Sequence, residues 1–295
     1  MRVESKWPYT LLLALLLAAL AGCSAIRIGY NQADVILAWR ADDYFDFDAR
    51  QKPEFTKRLA RLLEWHRRDQ LPDYAAFFAE IRQRMQRAPV REDAVWAVEG
   101  AKARYRNIVN RGANDAADML ALLNAENIRA LQTQFEKDNK KFVRDFRLDG
   151  SLEQRKRARL ERTLKQIKDW TGSLTHEQEE RIAALSNEIT PIDHLRHQDR
   201  QRRQREFIAM LRIRDNKPEF LPLLQNWLLH YDRGRAPEYV KQLDDVYEKR
   251  IALYLEVERM LTPRQREHVL HKLQSYIDDM KALAARPVDA EPSKK

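Results

Sequence analysis

Leu174-Thr175-His176-Glu177-Gln178, and later Leu261-Thr262-Pro263-Arg264-Gln265, are the two stretches on which the fold turns. In each, a threonine stands where a helix would begin and a glutamine occupies the third helical position. This is the capping-box arrangement, in which two side chains reciprocally satisfy backbone N–H groups that a helix start leaves open. Pro263 strengthens the second corner, because the first helical residue needs no N–H. Apolar residues then recur at three- and four-residue steps: Ile182, Leu185 and Ile189 after the first corner, Val269, Leu273 and Ile277 after the second. Helical stretches also precede them, Leu152 to Trp170 and Glu238 to Met260. Antiparallel helix pairs folded at these corners are the expectation. Leu123-Asn124-Ala125-Glu126-Asn127 is a weaker third copy.

Composition extends this reading to the whole chain. Only 7 glycines occur in 295 residues and 34% of residues are charged, whereas sheet proteins need frequent turns. Leu, Ala, Arg, Glu, Lys and Gln dominate, all good helix formers. The fold class predicted is all-α, an extended bundle of antiparallel helical hairpins. Leu71-Pro72 and Ala88-Pro89 should stop helices, with Asp73 capping the one between. A turn or kink is expected near Gly112. Asp149-Gly150-Ser151 reads as a turn with a cap, and Gly234 to Pro237 as a loop. The organisation expected is a helical half over 41–148, a second over 149–285 carrying the Leu-Thr-x-x-Gln corners, and a disordered charged tail over 286–295.

The N-terminus gives an address. An unbroken apolar run, Leu11 to Leu20, follows Arg2 and Lys6 and ends in Leu20-Ala21-Gly22-Cys23. Too short to span a bilayer as a stable helix, it suits a removable secretory signal over 1–22. The run resembles the lipobox of bacterial lipoproteins, with 23–40 as anchor and N-terminal segment. The resemblance implies a diacylglycerol on the Cys23 sulfur, cleavage before it and acylation of the new amino group. Ser24, where an aspartate would mark inner-membrane retention, implies sorting to the outer membrane, facing the periplasm. Cys23 is the only cysteine, so a lipidated chain keeps no thiol for disulfides or redox work. Removing Arg2, Lys6 and Glu4 with the leader changes the formal charge from +9 to +8. A basic chain raises the question of nucleic acid, but export replaces it with headgroups, lipopolysaccharide phosphates or acidic proteins.

The two corners resemble the LTxxQ motif of the Spy and CpxP group, small periplasmic helical chaperones and stress-response modulators with curved, basic client-binding surfaces. The likeness covers the corners and their flanking helices, about a third of the chain. This chain departs from the group in its length, its lipid anchor and its first half. The Cys23-Ser24 start, Trp39-Arg40-Ala41-Asp42-Asp43-Tyr44-Phe45-Asp46 and Trp65-His66-Arg67-Arg68 together resemble an uncharacterised family of proteobacterial lipoproteins, which implies an address but no activity.

The sequence offers little for catalysis. Gly-x-Ser-x-Gly, Ser-x-x-Lys and glycine-rich phosphate loops are absent from it, and no catalytic residue is assigned. Asp42, Asp43, Asp46 and Asp48 lie among Tyr44, Phe45 and Phe47; they could hold a hard cation, or sit on the solvated side and at a helix start with the aromatics in the core. His194 and His197, like His268 and His271, could share a helix face, and two such pairs brought together could hold Zn²⁺. With no His-Glu-x-x-His and no Glu-x-x-His, neither metal nor cofactor is assigned. The densest positive charge is the arginine cluster of 196–205, in which Arg196, Arg200 and Arg203 fall on one stripe able to dock an anionic partner, or to serve as a solvated face. The functional expectation is a lipid-anchored periplasmic binding protein without catalysis, chaperone-like or linked to envelope stress. The alternative is a structural or adaptor outer-membrane lipoprotein.

Overall fold

Helix starts in this chain are written in side chains. Asn124, Ser151, Thr175 and Thr262 each accept an N–H from the first turn they open, and Asn127, Gln154, Gln178 and Gln265 each reach back to the cap residue's own N–H. The computed structural model describes residues 25–285; Cys23, Ser24 and the 286–295 tail lie outside the described residues. In order, the helices are α1 (Ala25–Asn31), α2 (Ala33–Phe45), α3 (Gln51–Trp65), α4 (Leu71–Arg84), α5 (Arg91–Ala121), α6 (Ala125–Asp145), α7 (Leu152–Thr171), α8 (His176–Glu188), α9 (Asp193–Met210), α10 (Lys217–Leu229), α11 (Pro237–Met260) and α12 (Pro263–Ala284). Among the described residues there is no strand, so the fold is all-α.

The principal pairs run antiparallel, and many join segments far apart in sequence. α12 packs along α4, with Tyr276 edge-on to Phe78 at 6.1 Å and Arg82 bonded to the Leu270 carbonyl. α10 packs along α5, where the Tyr105 hydroxyl donates to Leu228 O at 3.0 Å. α9 lies on α6, and α8 on both α7 and α11. The Leu174 corner closes the pair α7–α8, as expected. At the Leu261 corner α12 instead leaves α11 and finds its main partners in α4 and α7.

Two expected interruptions are absent, each for a local reason. At Leu71-Pro72 the chain does not stop. A π-helical turn over His66–Gln70 lets Leu71 N–H bond to His66 O five residues back, and Pro72 enters α4 in the first turn, where its missing N–H is no loss. Asp73 there does not cap; it accepts from Arg104 at 2.9 Å. Gly112 does not kink α5, which runs 31 residues unbroken. One glycine costs roughly 1 kcal/mol in a helix interior. Packing on either side offsets this: Leu62 lies beside Gly112, and Arg58 bridges to Asp115 and Asp118.

Among the described residues, two clusters of buried apolar side chains form cores. One holds Phe47, Leu120, Leu123, Leu131, Phe207, Leu211, Phe220 and Leu224; the other holds Ile167, Ile182, Ile189, Tyr239, Val246, Leu253 and Val257. The aromatics of the Asp42–Asp48 stretch belong to the first, with Phe45 stacked on Phe47 at 5.4 Å. Two of its four acids serve the backbone: Asp42 accepts from Phe47 N–H, and Asp48 from the N–H groups of Arg50 and Gln51.

Candidate functional site: paired corners and an arginine cleft

The two Leu-Thr-x-x-Gln corners meet. Gln178 Nε2 donates to Gln265 Oε1 at 2.9 Å, and Gln265 Nε2 returns the bond at 2.9 Å. Each amide also reaches the backbone just ahead of the other corner: Gln178 Nε2 to Met260 O and Gln265 Nε2 to Ser173 O, both at 2.8 Å. Both side chains are buried, so these bonds form in a low-dielectric setting where an unpaired amide would be costly. Leu174 and Leu261 pack on the second core directly beneath.

The first core carries a clasp of the same design. Gln51 Nε2 donates to Asn127 Oδ1 at 2.8 Å and to Leu122 O at 2.7 Å, while Asn127 Nδ2 donates to Asp46 O at 2.9 Å and Phe45 O at 2.8 Å. Position for position, Phe47-Asp48-Ala49-Arg50-Gln51 answers Leu174–Gln178, and Leu123–Asn127 answers Leu261–Gln265. The sequence had marked Leu123–Asn127 as a weaker copy. It missed the first corner because aspartate stands in place of threonine within an acidic stretch. Asp-x-x-Gln ahead of an apolar-periodic run was the available signal.

Between the clasps runs α9, which carries the arginine stripe. Arg200 bonds Asn139 Oδ1 at 3.1 Å and Asp138 Oδ2 at 3.3 Å on α6. Arg203 lies 4.1 Å over the Trp227 ring of α10 and donates to Trp227 O. Arg196 sits over Phe142 and Phe146 at 5.6 and 5.3 Å. Together with Arg235, which pairs with Asp199 at 3.3 Å, the three line a cleft of about 350 Å³ walled by Phe135, Trp227 and Tyr239. Asp199 is shared with Arg202 at 2.7 Å, so cations outnumber anions here. Burial, then neighbouring Arg202, pushes the Arg203 guanidinium below its ordinary value. Trp227 Nε1 is buried with no acceptor among the described residues. Aromatic walls with a guanidinium rim suit a carboxylate or phosphate carried on an apolar or aromatic body.

The opposite flank of α9 borders a larger groove of about 940 Å³, lined by Lys140, Arg144, Arg147 and Arg157 with Asp149 and Glu161. His197 forms part of its wall, stacked on Phe142 at 5.4 Å; burial and then Arg200 push its pKa down, favouring the neutral ring. Among the described residues no group of three or more His, Cys, Asp or Glu is placed to hold a metal ion.

Fold and clefts define a class: an all-helical protein, clasped at four corners, with a basic aromatic cleft on one flank of α9 and a basic groove on the other. Residues 43–240 match DUF6279, a family of unknown function, and the chain belongs to that family. The match takes in three of the four corners and all of α9, and ends within α11. No curated protein and no solved structure matches the chain.

Proposed function

We propose that this protein is a lipid-tethered binding protein of the bacterial periplasm that holds anionic segments of other polypeptides in the α9 clefts and performs no chemistry on them. The observation that carries the reading is the cleft formed by Arg196, Arg200, Arg203 and Arg235 over Phe135, Trp227 and Tyr239. Such a site offers charge-assisted hydrogen bonds and apolar contact together, which is what a partly unfolded acidic client presents. The Leu20-Ala21-Gly22-Cys23 sequence supports attachment by lipid, with Ser24 favouring the outer membrane. No described helix is long and apolar enough to cross a membrane. The clasped Leu-Thr-x-x-Gln corners support a kinship of design with the Spy and CpxP group of periplasmic chaperones.

The test is suppression of aggregation by the chain from Ser24 onward, using an unfolding acidic protein as client. Protection should fall as salt rises from about 0.1 to about 1 M, which shortens the screening length from about 10 to about 3 Å. An Arg196→Gln/Arg203→Gln variant should protect several-fold less at equal helicity. Protection that ignores both salt and these arginines, or its absence in the unaltered chain, contradicts the reading and favours an adaptor role.

A further inference from the structure

We propose that α2 forms an in-plane membrane helix, whose Val35, Ile36 and Trp39 face sits in the headgroup layer of a phospholipid surface. α2 buries none of its residues. These three large apolar side chains are instead 60%, 50% and 66% exposed, the densest such group among the described residues. A core-forming helix hides its apolar stripe, and an exposed one marks a partner or a membrane.

Three observations select lipid as the occupant. Gln32, with φ −108° and ψ 11°, breaks the helical path between α1 and α2, so the register of the face is set within α2 alone. Within α2, Val35, Ile36 and Trp39 fall inside an arc of about 100° at about 100° per residue, while Leu37, 43% exposed, lies on the other side. Second, both arginines beside the face are engaged within the protein: Arg27 with Asp279 at 2.6 Å, and Arg40 with Asp43 and the Tyr44 hydroxyl. Third, Cys23 lies two residues before α1 in the sequence, so a lipid there would hold this face at the bilayer, where tryptophan is favoured. The inference shares the proposed tether but not the client-binding role.

Vesicles of phosphatidylethanolamine and phosphatidylglycerol are the probe, with the chain from Ser24 onward, which contains every described helix. Flotation should carry the protein with the vesicles, and brominated lipid should quench a fluorescence component that Trp39→Phe removes. Val35→Ser/Ile36→Ser/Trp39→Ser should weaken partitioning roughly a hundred-fold, with helicity, melting and aggregation suppression unchanged because these side chains do not pack in the core. Failure of the unaltered chain to bind, or equal binding by the variant, overturns the proposal. So would a solution dimer abolished by the same substitutions without vesicle binding, which would give this face to a second copy. Loss of client protection with vesicle binding intact would count against the α9 reading alone.

Discussion

Gln178 holds three partners with one amide. Its oxygen accepts from Thr175 N–H and from Gln265, and its nitrogen donates to Met260 O and Gln265 Oε1. Gln178→Ala therefore strands several buried polar groups at once and should cost about 2–3 kcal/mol in denaturant unfolding. Gln265→Ala should cost a similar amount. The double variant should cost clearly less than the sum, since each single change already breaks the shared pair; full additivity would mean that the two amides act separately. The capping halves of these corners were legible in the sequence, because Thr175 and Gln178 are neighbours. Their meeting was not, since local pattern carries no information about which distant corner faces which. A second residue-scale test concerns Asp93, which accepts the Val90 N–H and pairs with Arg84 and Arg87. The bond from Val90 above all, then the two arginines, lowers its pKa from the ordinary 3.8 to about 2. The folded state thus holds this proton less readily than the unfolded chain. The stabilisation is complete above the ordinary value and is lost as pH falls from there through about 2. Asp93→Asn should flatten that limb of the pH–stability curve measured by urea unfolding.

At the scale of elements, α5 distinguishes two glycines that a sequence cannot tell apart. A Cβ at Gly112 would meet Leu62 at 3.7 Å, ordinary contact, whereas at Gly100 it would fall 2.4 Å from Phe77 Cε2. Gly112→Ala should stabilise by about 0.5–1 kcal/mol through helix propensity. Gly100→Ala should destabilise by roughly 1–3 kcal/mol, because Phe77 is held between Phe78, Trp96 and Arg104. Thermal melts of the two variants moving in the same direction would refute this packing. The predicted kink at Gly112 and stop at Pro72 failed for a common reason. Glycine and proline report local preference, while α5 is held by α3 and α10 along its length and the π turn over His66–Gln70 carries the chain into α4 with Pro72 in its first turn.

Across the whole molecule, the last helix secures the first half. Leu71, Ala75, Phe78 and Arg82 fall on one face of α4, the face that meets α12. A chain ended at residue 260 should lose cooperative unfolding, because it uncovers that face and removes Gln265 from its clasp. All-helical class was legible from scarce glycine and regular apolar spacing; long-range pairings such as α4 with α12 were not, because amphipathic faces show that a partner exists without naming it. The arginine stripe was legible as well, but its role in docking α9 onto α6 and α10 through Arg200 and Arg203 emerges only from the packing. What remains for a partner is the guanidinium-rimmed cleft. Hydrogen exchange of the chain from Ser24 onward, alone and with an unfolded acidic client, tests that most directly. New protection should concentrate in α9 and the facing turns of α6 and α10, and Arg196→Gln/Arg203→Gln should remove it. Protection confined to other helices, or unaltered in that variant, would contradict the α9 reading.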